Sequence, residues 1–175
     1  DICMQEKVEH VMQFVSVDSY GKQAEYIRHG LDYDRMMANV DEFLDRIPIR
    51  NSVTFIITYN NLSVTGLGAL LEEIRQLRQK HSKTYQRVWF DIPLLRQPAW
   101  QQITLLPESY QEIHQSNIEM MQKLSGPEEG YGAFRDFEIQ KMQRNLAYWK
   151  KNANASAKDK KDFYAFFNEH DRRRV

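Results

Sequence analysis

The sequence predicts an α/β fold with parallel strands, and three observations predict it. Short apolar segments rich in β-branched and aromatic residues recur at 11–18, 52–59 and 87–92, as is typical of buried strands. Amphipathic segments at 33–47 and about 65–80 separate them, and both are long enough for helical crossovers. Strands that alternate with helices in this way form a parallel sheet.

The first helix is predicted to begin after a cap at Asp32 and to end at Pro48, because proline interrupts a helix. Its apolar positions follow the helical period and are Tyr33, Met36, Met37, Val40, Phe43, Leu44 and Ile47. The second helix begins at Ser63 or Thr65 and carries Leu67, Leu70, Leu71, Ile74 and Leu77 on one face. Pro93 ends the third strand.

The pattern is less regular after Pro93, and the predicted elements change from strands to helices. A short strand or extended segment is predicted at 100–106, followed by a helix from Pro107 to about Leu124 and a loop at 125–132. A second helix is predicted at 134–151, and a polar linker follows at 152–161. The chain is predicted to end in a short helix with Phe163, Tyr164, Phe166 and Phe167 and a solvated tail at 171–174.

Composition excludes several functional classes. The 175 residues are 42% hydrophobic and 27% charged with a net charge of zero, so a nucleic-acid partner is not expected. No apolar run approaches the length of a membrane span, and no leader peptide opens the sequence. Cys3 is the single cysteine, which excludes a disulfide framework and favours a reducing, cytoplasmic location.

Polar residues follow two of the predicted strands at their carboxyl ends. Ser16 and Asp18 end the first strand, Arg28 follows before the next helix, and Asn60 and Asn61 follow the second strand. Ligands of open α/β sheets and barrels bind at this edge. A ligand with a carboxylate and hydroxyl groups matches these side chains.

The same residues could instead have purely structural roles. Residues 18–19 are able to cap the following helical turn, and Arg28 is able to pair with Glu25 or Asp32 at the surface. The pair at 60–61 is typical of a turn. The five histidines share no metal-ligand spacing, and neither a nucleophile motif nor a phosphate loop is present. We therefore predict no catalytic residue and no metal site.

Four segments together resemble the radical S-adenosylmethionine enzymes, in particular those with a twitch domain: Ser16–Gly21, Ala24–Tyr33, Asn39–Val40 and Thr54–Leu62. The resemblance covers roughly residues 10–106. It implies that residues 1–106 form the carboxyl-terminal half of a partial (β/α) barrel and that 107–175 form a helical extension. It also implies reductive cleavage of S-adenosylmethionine, followed by hydrogen abstraction from a substrate that the sequence does not identify.

The resemblance implies that Ser16, Asp18, Arg28, Asn60 and Asn61 contact S-adenosylmethionine. The family's Cys-x-x-x-Cys-x-x-Cys loop, which holds a 4Fe–4S cluster, is absent. Because the sequence also begins without methionine, we expect a longer protein whose missing amino-terminal half completes the barrel and holds the cluster. This chain alone is expected to be inactive and to bind neither cofactor.

The alternative is a non-catalytic α/β interaction module. Its partner surface would combine the carboxyl-terminal aromatic residues with Met36, Met37, Met120, Met121 and Met142, since methionine suits adaptable contacts. A half barrel also leaves one edge and one face of its sheet uncovered, which predicts self-association.

Overall fold

The computed structural model describes residues 7–46, 50–153 and 156–174. Within them the helices and strands are β1 (His10–Ser16), α1 (Gly21–Ile27), α2 (Tyr33–Arg46), β2 (Arg50–Ile56), α3 (Leu67–His81), β3 (Val88–Asp91), α4 (Ser109–Lys123), α5 (Asp136–Asn152) and α6 (Ala157–Arg172). Cys3 and the predicted helix end at Pro48 lie outside the described residues. Among those residues, no helix has both the length and the apolar character that a membrane crossing requires.

The three strands form one parallel sheet in the order β1-β2-β3. Phe14 lies opposite Thr54, which in turn lies opposite Trp89. The backbone amide of Arg35 donates to the Asp32 carboxylate over 3.0 Å, so Asp32 has the capping role predicted for it. The α/β class and the parallel sheet are therefore confirmed.

One face of the sheet carries the hydrophobic core. Val53, Phe55 and Ile57 of β2 and its extension are fully buried, and alternate residues of β1 and β3 join them. Helices α2 and α3 supply the apolar faces that the sequence predicts. The same core cluster includes residues of α4 and α5, namely Ile118, Met121, Ile139, Met142, Leu146 and Trp149.

The other face of the sheet is open at β1. Phe14 is 65% exposed and Met12 is 49% exposed, although parallel sheets are normally covered on both faces. At β3 this face is partly screened by α5, whose Phe137 ring lies 6.3 Å from that of Trp89. The Lys141 ammonium also pairs with Asp91 there.

Three segments differ from their predictions: the one between β3 and α4, the one before α2, and the loop between α4 and α5. Residues 99–101 and 103–105 form 3₁₀ turns rather than a strand. Their amides bond locally, as in the 3.1 Å bond from Gln101 to the Pro98 carbonyl. Helix α1, which has seven residues and buries Ala24, was not predicted. The loop predicted at 125–132 contains a 3₁₀ turn.

The carboxyl terminus differs most from its prediction. Helix α6 begins at Ala157 and runs to Arg172, so the predicted linker is shorter and the predicted helix longer. Ser156 caps it by accepting a 3.0 Å bond from the Asp159 amide. Residues 171–173 are exposed, as predicted, but Asp171 and Arg172 belong to the end of α6 rather than to a tail. Asp171 also accepts a 2.6 Å hydrogen bond from the Tyr26 hydroxyl.

Candidate binding site at the carboxyl ends of the strands

An ion pair between Asp18 and Arg28 lies just beyond the end of β1. The Nε of Arg28 donates to Oδ2 of Asp18 over 2.7 Å, and Nη2 donates to Oδ1 over 3.2 Å. The Asp18 side chain is 7% exposed and that of Arg28 is 36% exposed. Arg28 therefore pairs with neither Glu25 nor Asp32, and a partner ten residues back holds it at the strand ends.

The Asp18 carboxylate also continues the β1–β2 hydrogen-bond ladder. The Val17 amide donates to the Ile56 carbonyl over 3.1 Å. One step further, the Thr58 amide donates to Oδ1 of Asp18 over 3.0 Å. Asp18 therefore joins two strand ends and does not cap α1, whose N-cap is Tyr20.

The chain also packs closely where β1 approaches α3. Ser19 is fully buried, and a β-carbon at Gly66 would lie 2.1 Å from its Oγ. Only glycine permits this approach. The start of α3 is thereby held against the end of β1, next to the Asp18–Arg28 pair.

Arg28 keeps one donor group for another partner. Its Nε and Nη2 are used by Asp18, and no hydrogen bond from Nη1 occurs among the described residues. A guanidinium with a free, partly exposed N–H group is suited to a carboxylate or a phosphate.

Asn60 forms the turn that ends β2. Its Nδ2 donates to the Thr58 carbonyl over 2.9 Å, and its Oδ1 accepts from the Leu62 amide over 2.9 Å. The Asn60 amide donates to Oγ of Ser63 over 2.8 Å. Asn60 therefore has the turn role that its sequence allowed, and the turn uses both polar atoms of its side chain.

Asn61 links the end of β2 to the segment after β3. Its Nδ2 donates to the Trp100 carbonyl over 3.0 Å, and its amide donates to Gln101 over 3.0 Å. The Asn61 Oδ1 is buried and has no partner among the described residues. A buried acceptor without a donor is uncommon, which makes this oxygen a candidate ligand contact.

Ser16 lies apart from the other four predicted residues. It is the last residue of β1 and is exposed, and its alternation with Val15 and Val17 places it on the open face of the sheet. The structure thus brings Asp18, Arg28 and Asn60 together around Thr58. Asn61 faces the neighbouring segment, and no contact joins Ser16 to the group among the described residues.

A buried tyrosine–histidine pair lies behind this edge. The Tyr59 hydroxyl is 2.7 Å from Nδ1 of His114, and the Nε2 of His114 is 2.9 Å from the Met142 carbonyl. Because the Met142 carbonyl only accepts, Nε2 carries the proton and Nδ1 accepts from Tyr59. Burial lowers the pKa of His114 and raises the pKa of Tyr59, so both are neutral near pH 7.

Helix α6 borders the site, which the sequence analysis did not predict. The His170 Nε2 lies 2.9 Å from the Tyr26 carbonyl, and the Phe166 ring lies 4.4 Å from that of Trp100. The helix therefore reaches from the end of α1 to the segment after β3. The signal was available in the sequence, since Phe163, Phe166, Phe167 and His170 follow the i, i+3, i+4, i+7 spacing.

An open groove lies beneath the first half of α6. Its volume is about 890 Å³, which is in the range of small-molecule sites. Leu105, Phe163 and Tyr164 supply apolar surface, while Lys150 and Lys160 supply positive charge. The groove is therefore open to a ligand with an apolar body and an anionic group.

The described residues do not fit an iron–sulfur cluster. They include no cysteine, and they bring together no group of three histidine, cysteine, aspartate or glutamate side chains able to hold a metal ion. Such clusters need thiolate ligands. No chemical step through a cluster is therefore assigned to these residues.

Comparisons with known proteins leave the strand-end geometry as the main functional evidence. No model of a known protein family matches the sequence. Neither the curated proteins nor the solved structures contain a significant match.

Proposed function

We propose that the strand ends of this chain contribute the S-adenosylmethionine-binding part of a radical S-adenosylmethionine enzyme. The observation that supports this proposal most is the Asp18–Arg28 pair at the carboxyl edge of a parallel sheet. The pair orients an arginine whose Nη1 remains free for an anionic ligand. In this proposal the three strands belong to a partial barrel, located in the cytoplasm, whose other half comes from a missing amino-terminal region.

Each proposed contact has a chemical reason. Arg28 binds the carboxylate of the methionine moiety through Nη1. The unpaired Oδ1 of Asn61 accepts from an amino or hydroxyl group. Asp18 positions Arg28 and keeps a lone pair on Oδ2 for a ribose hydroxyl. No contact is proposed for Ser16, which lies on the open face of the sheet apart from this group. Asn60 shapes the turn that presents these groups.

The proposal assigns the remaining chemistry to the complete protein. S-adenosylmethionine supplies a reductively cleavable sulfonium and the means to abstract hydrogen from a substrate. The cluster that delivers the electron needs thiolates that the described residues lack. The 175-residue chain alone is therefore proposed to be inactive.

The first test is to express the complete natural reading frame with its cluster reconstituted anaerobically and to measure S-adenosylmethionine binding. Arg28→Ala is expected to weaken binding by about tenfold to a hundredfold, because a charge-assisted hydrogen bond contributes about 1.5–3 kcal/mol. Arg28→Lys is expected to recover only part of the affinity, since lysine lacks the planar fork.

Arg46→Ala is the matched control, because Arg46 is an exposed arginine of α2 whose ionic partner among the described residues is Glu42. It is expected to bind S-adenosylmethionine as the parent protein does. Equal affinities for the parent and Arg28→Ala proteins would remove Arg28 from the site. A complete reading frame without a Cys-x-x-x-Cys-x-x-Cys motif would contradict the enzyme proposal.

The second candidate function, an interaction module, is supported by the open face of the sheet. The methionine surface on which it first rested is wrong, because Met37, Met121 and Met142 are buried in the core. Exposed large apolar side chains among the described residues include Met12 and Phe14 of β1, and Tyr164 of the carboxyl-terminal aromatic residues is exposed as well. The complete reading frame decides between the two candidates, since the module requires no cysteine motif.

A further inference from the structure

The outer edge of β1 is the least protected surface of the sheet. Strand β1 pairs only with β2, so one edge of it is unpaired among the described residues. Natural edge strands are usually blunted by charges, proline or a bulge. Residues 11–16 contain no charged residue, proline or glycine, and their pairing with β2 runs without a bulge from His10 to Ser16.

The hydrogen bonds of the sheet identify which backbone groups face outward. On β1 the Val17 amide donates to β2, while on β2 Val53 and Ile57 donate to β3. Backbone groups alternate in direction along a strand. The odd-numbered residues of β1 therefore bond to β2, and the N–H and C=O groups of His10, Met12, Phe14 and Ser16 point to the free edge.

The segment Val11–Val15 is chemically self-complementary about Gln13. It reads valine, large apolar residue, glutamine, large apolar residue, valine in both directions. In an antiparallel pair centred on Gln13, Met12 of one copy lies opposite Phe14 of the other, and Val11 lies opposite Val15. The outward groups of Met12 and Phe14 are those that an antiparallel hydrogen-bonded pair requires.

We propose that two copies of this chain associate through antiparallel β1 edges, with the two-fold axis at Gln13. The exposed side chains of Met12 and Phe14 then pack against each other on the open face, which contributes apolar burial. His10 lies opposite Ser16, so no like charges meet within the paired segment. The result is a continuous six-stranded sheet with a symmetric interface.

This inference does not rest on the proposed function. The paired edge differs from the strand ends that carry Asp18 and Arg28, and its formation requires no cofactor. A preceding barrel strand of a longer protein would pair with the same edge. The two occupants exclude each other, and the experiment below concerns the 175-residue chain.

The test is a charge exchange at the symmetry axis, read by sedimentation velocity over a range of concentrations. Gln13 is exposed, and its two copies face each other in the proposed dimer. Gln13→Lys and Gln13→Glu are each expected to weaken dimerisation by at least about tenfold, because like charges are then juxtaposed at an interface. An equimolar mixture of the two variants is expected to form a heterodimer.

The matched control is Gln140→Lys, which makes the same charge change at an exposed position of α5 and is expected to leave the dimer intact. A parent chain that stays monomeric at about 100 μM would overturn the proposal, since specific interfaces usually reach at least micromolar affinity. A mixture of the Gln13 variants that does not associate would also overturn it. So would a dimer that all three substitutions affect equally.

Discussion

Helices α5 and α6 are neighbours in the chain with similar aromatic content, but they are held in opposite ways. Helix α5 buries Met142, Leu146 and Trp149 in the core, whereas no residue of α6 is buried. Helix α6 is instead held by ring contacts and by hydrogen bonds to surface backbone, such as the bond from His170 to the Tyr26 carbonyl. Helix α5 is therefore part of the core, whereas α6 packs on the surface.

Amphipathic character alone does not decide which helix enters the core. Helix α5 also carries a buried charge, since Glu138 pairs with Arg78 of α3 at 2.5 Å with both side chains almost fully buried. The position of α5 is therefore fixed by buried contacts, which water does not replace. The contacts of α6 are largely solvated, so its docking against Tyr26 and Trp100 is the more easily reversed of the two.

Breaking the ion pair between Glu138 of α5 and Arg78 of α3 is expected to have the largest effect. Glu138→Ala leaves the Arg78 guanidinium buried without its ionic partner and should lower the free energy of unfolding by about 3–5 kcal/mol. Urea denaturation followed by circular dichroism measures the change. Glu169→Ala is the control in α6, because the ion pairs of Glu169 with Arg172 and Arg173 are exposed. If both variants were equally stable, the distinction between a core helix α5 and a surface helix α6 would fail.

A smaller effect is expected from loosening α6. Phe166→Ala removes the ring that packs on Trp100, and aromatic pairs contribute about 0.5–1.5 kcal/mol. The amides of α6 should then exchange with solvent about two- to tenfold faster, while those of α5 keep their rates. Tyr164→Ala is the matched control, because Tyr164 is 66% exposed. Faster exchange in α5 would show that the two helices open together.

The smallest expected effect is a dependence of α6 docking on alkaline pH. Burial, together with the hydrogen bond to Asp171, raises the pKa of Tyr26 to about 12. The undocked tyrosine loses its proton nearer its ordinary pKa of about 10. Docking is therefore unaffected below about pH 10 and weakens as the pH rises toward 12, because only the undocked state has released the proton.

Near-UV circular dichroism across this interval measures the docking of α6. Tyr26→Phe is the control, because it removes the titrating hydroxyl and should remove this component of the pH dependence. An identical profile for both proteins would show that Tyr26 does not couple docking to pH.

Much of the sheet was predictable because the sequence patterns that specify it are local. The continuous apolar run at 52–59 and the cap at Asp32 each depend on a few adjacent residues. The site was predictable only in outline. Its residues lie at the strand ends, as parallel strands require, but the partner of Arg28 proved to be Asp18 rather than Glu25 or Asp32.

The order of strands and helices is readable from the amino-acid sequence, and so are the parallel class of the sheet and the position of its polar edge. These follow from hydrophobic period and turn chemistry, which operate over short distances along the chain. The tertiary structure was needed to show that α5 enters the core, that α6 packs against Tyr26 and Trp100, and that β1 has an unpaired edge among the described residues. Those outcomes depend on which distant surfaces exclude water together, and local patterns do not specify this choice.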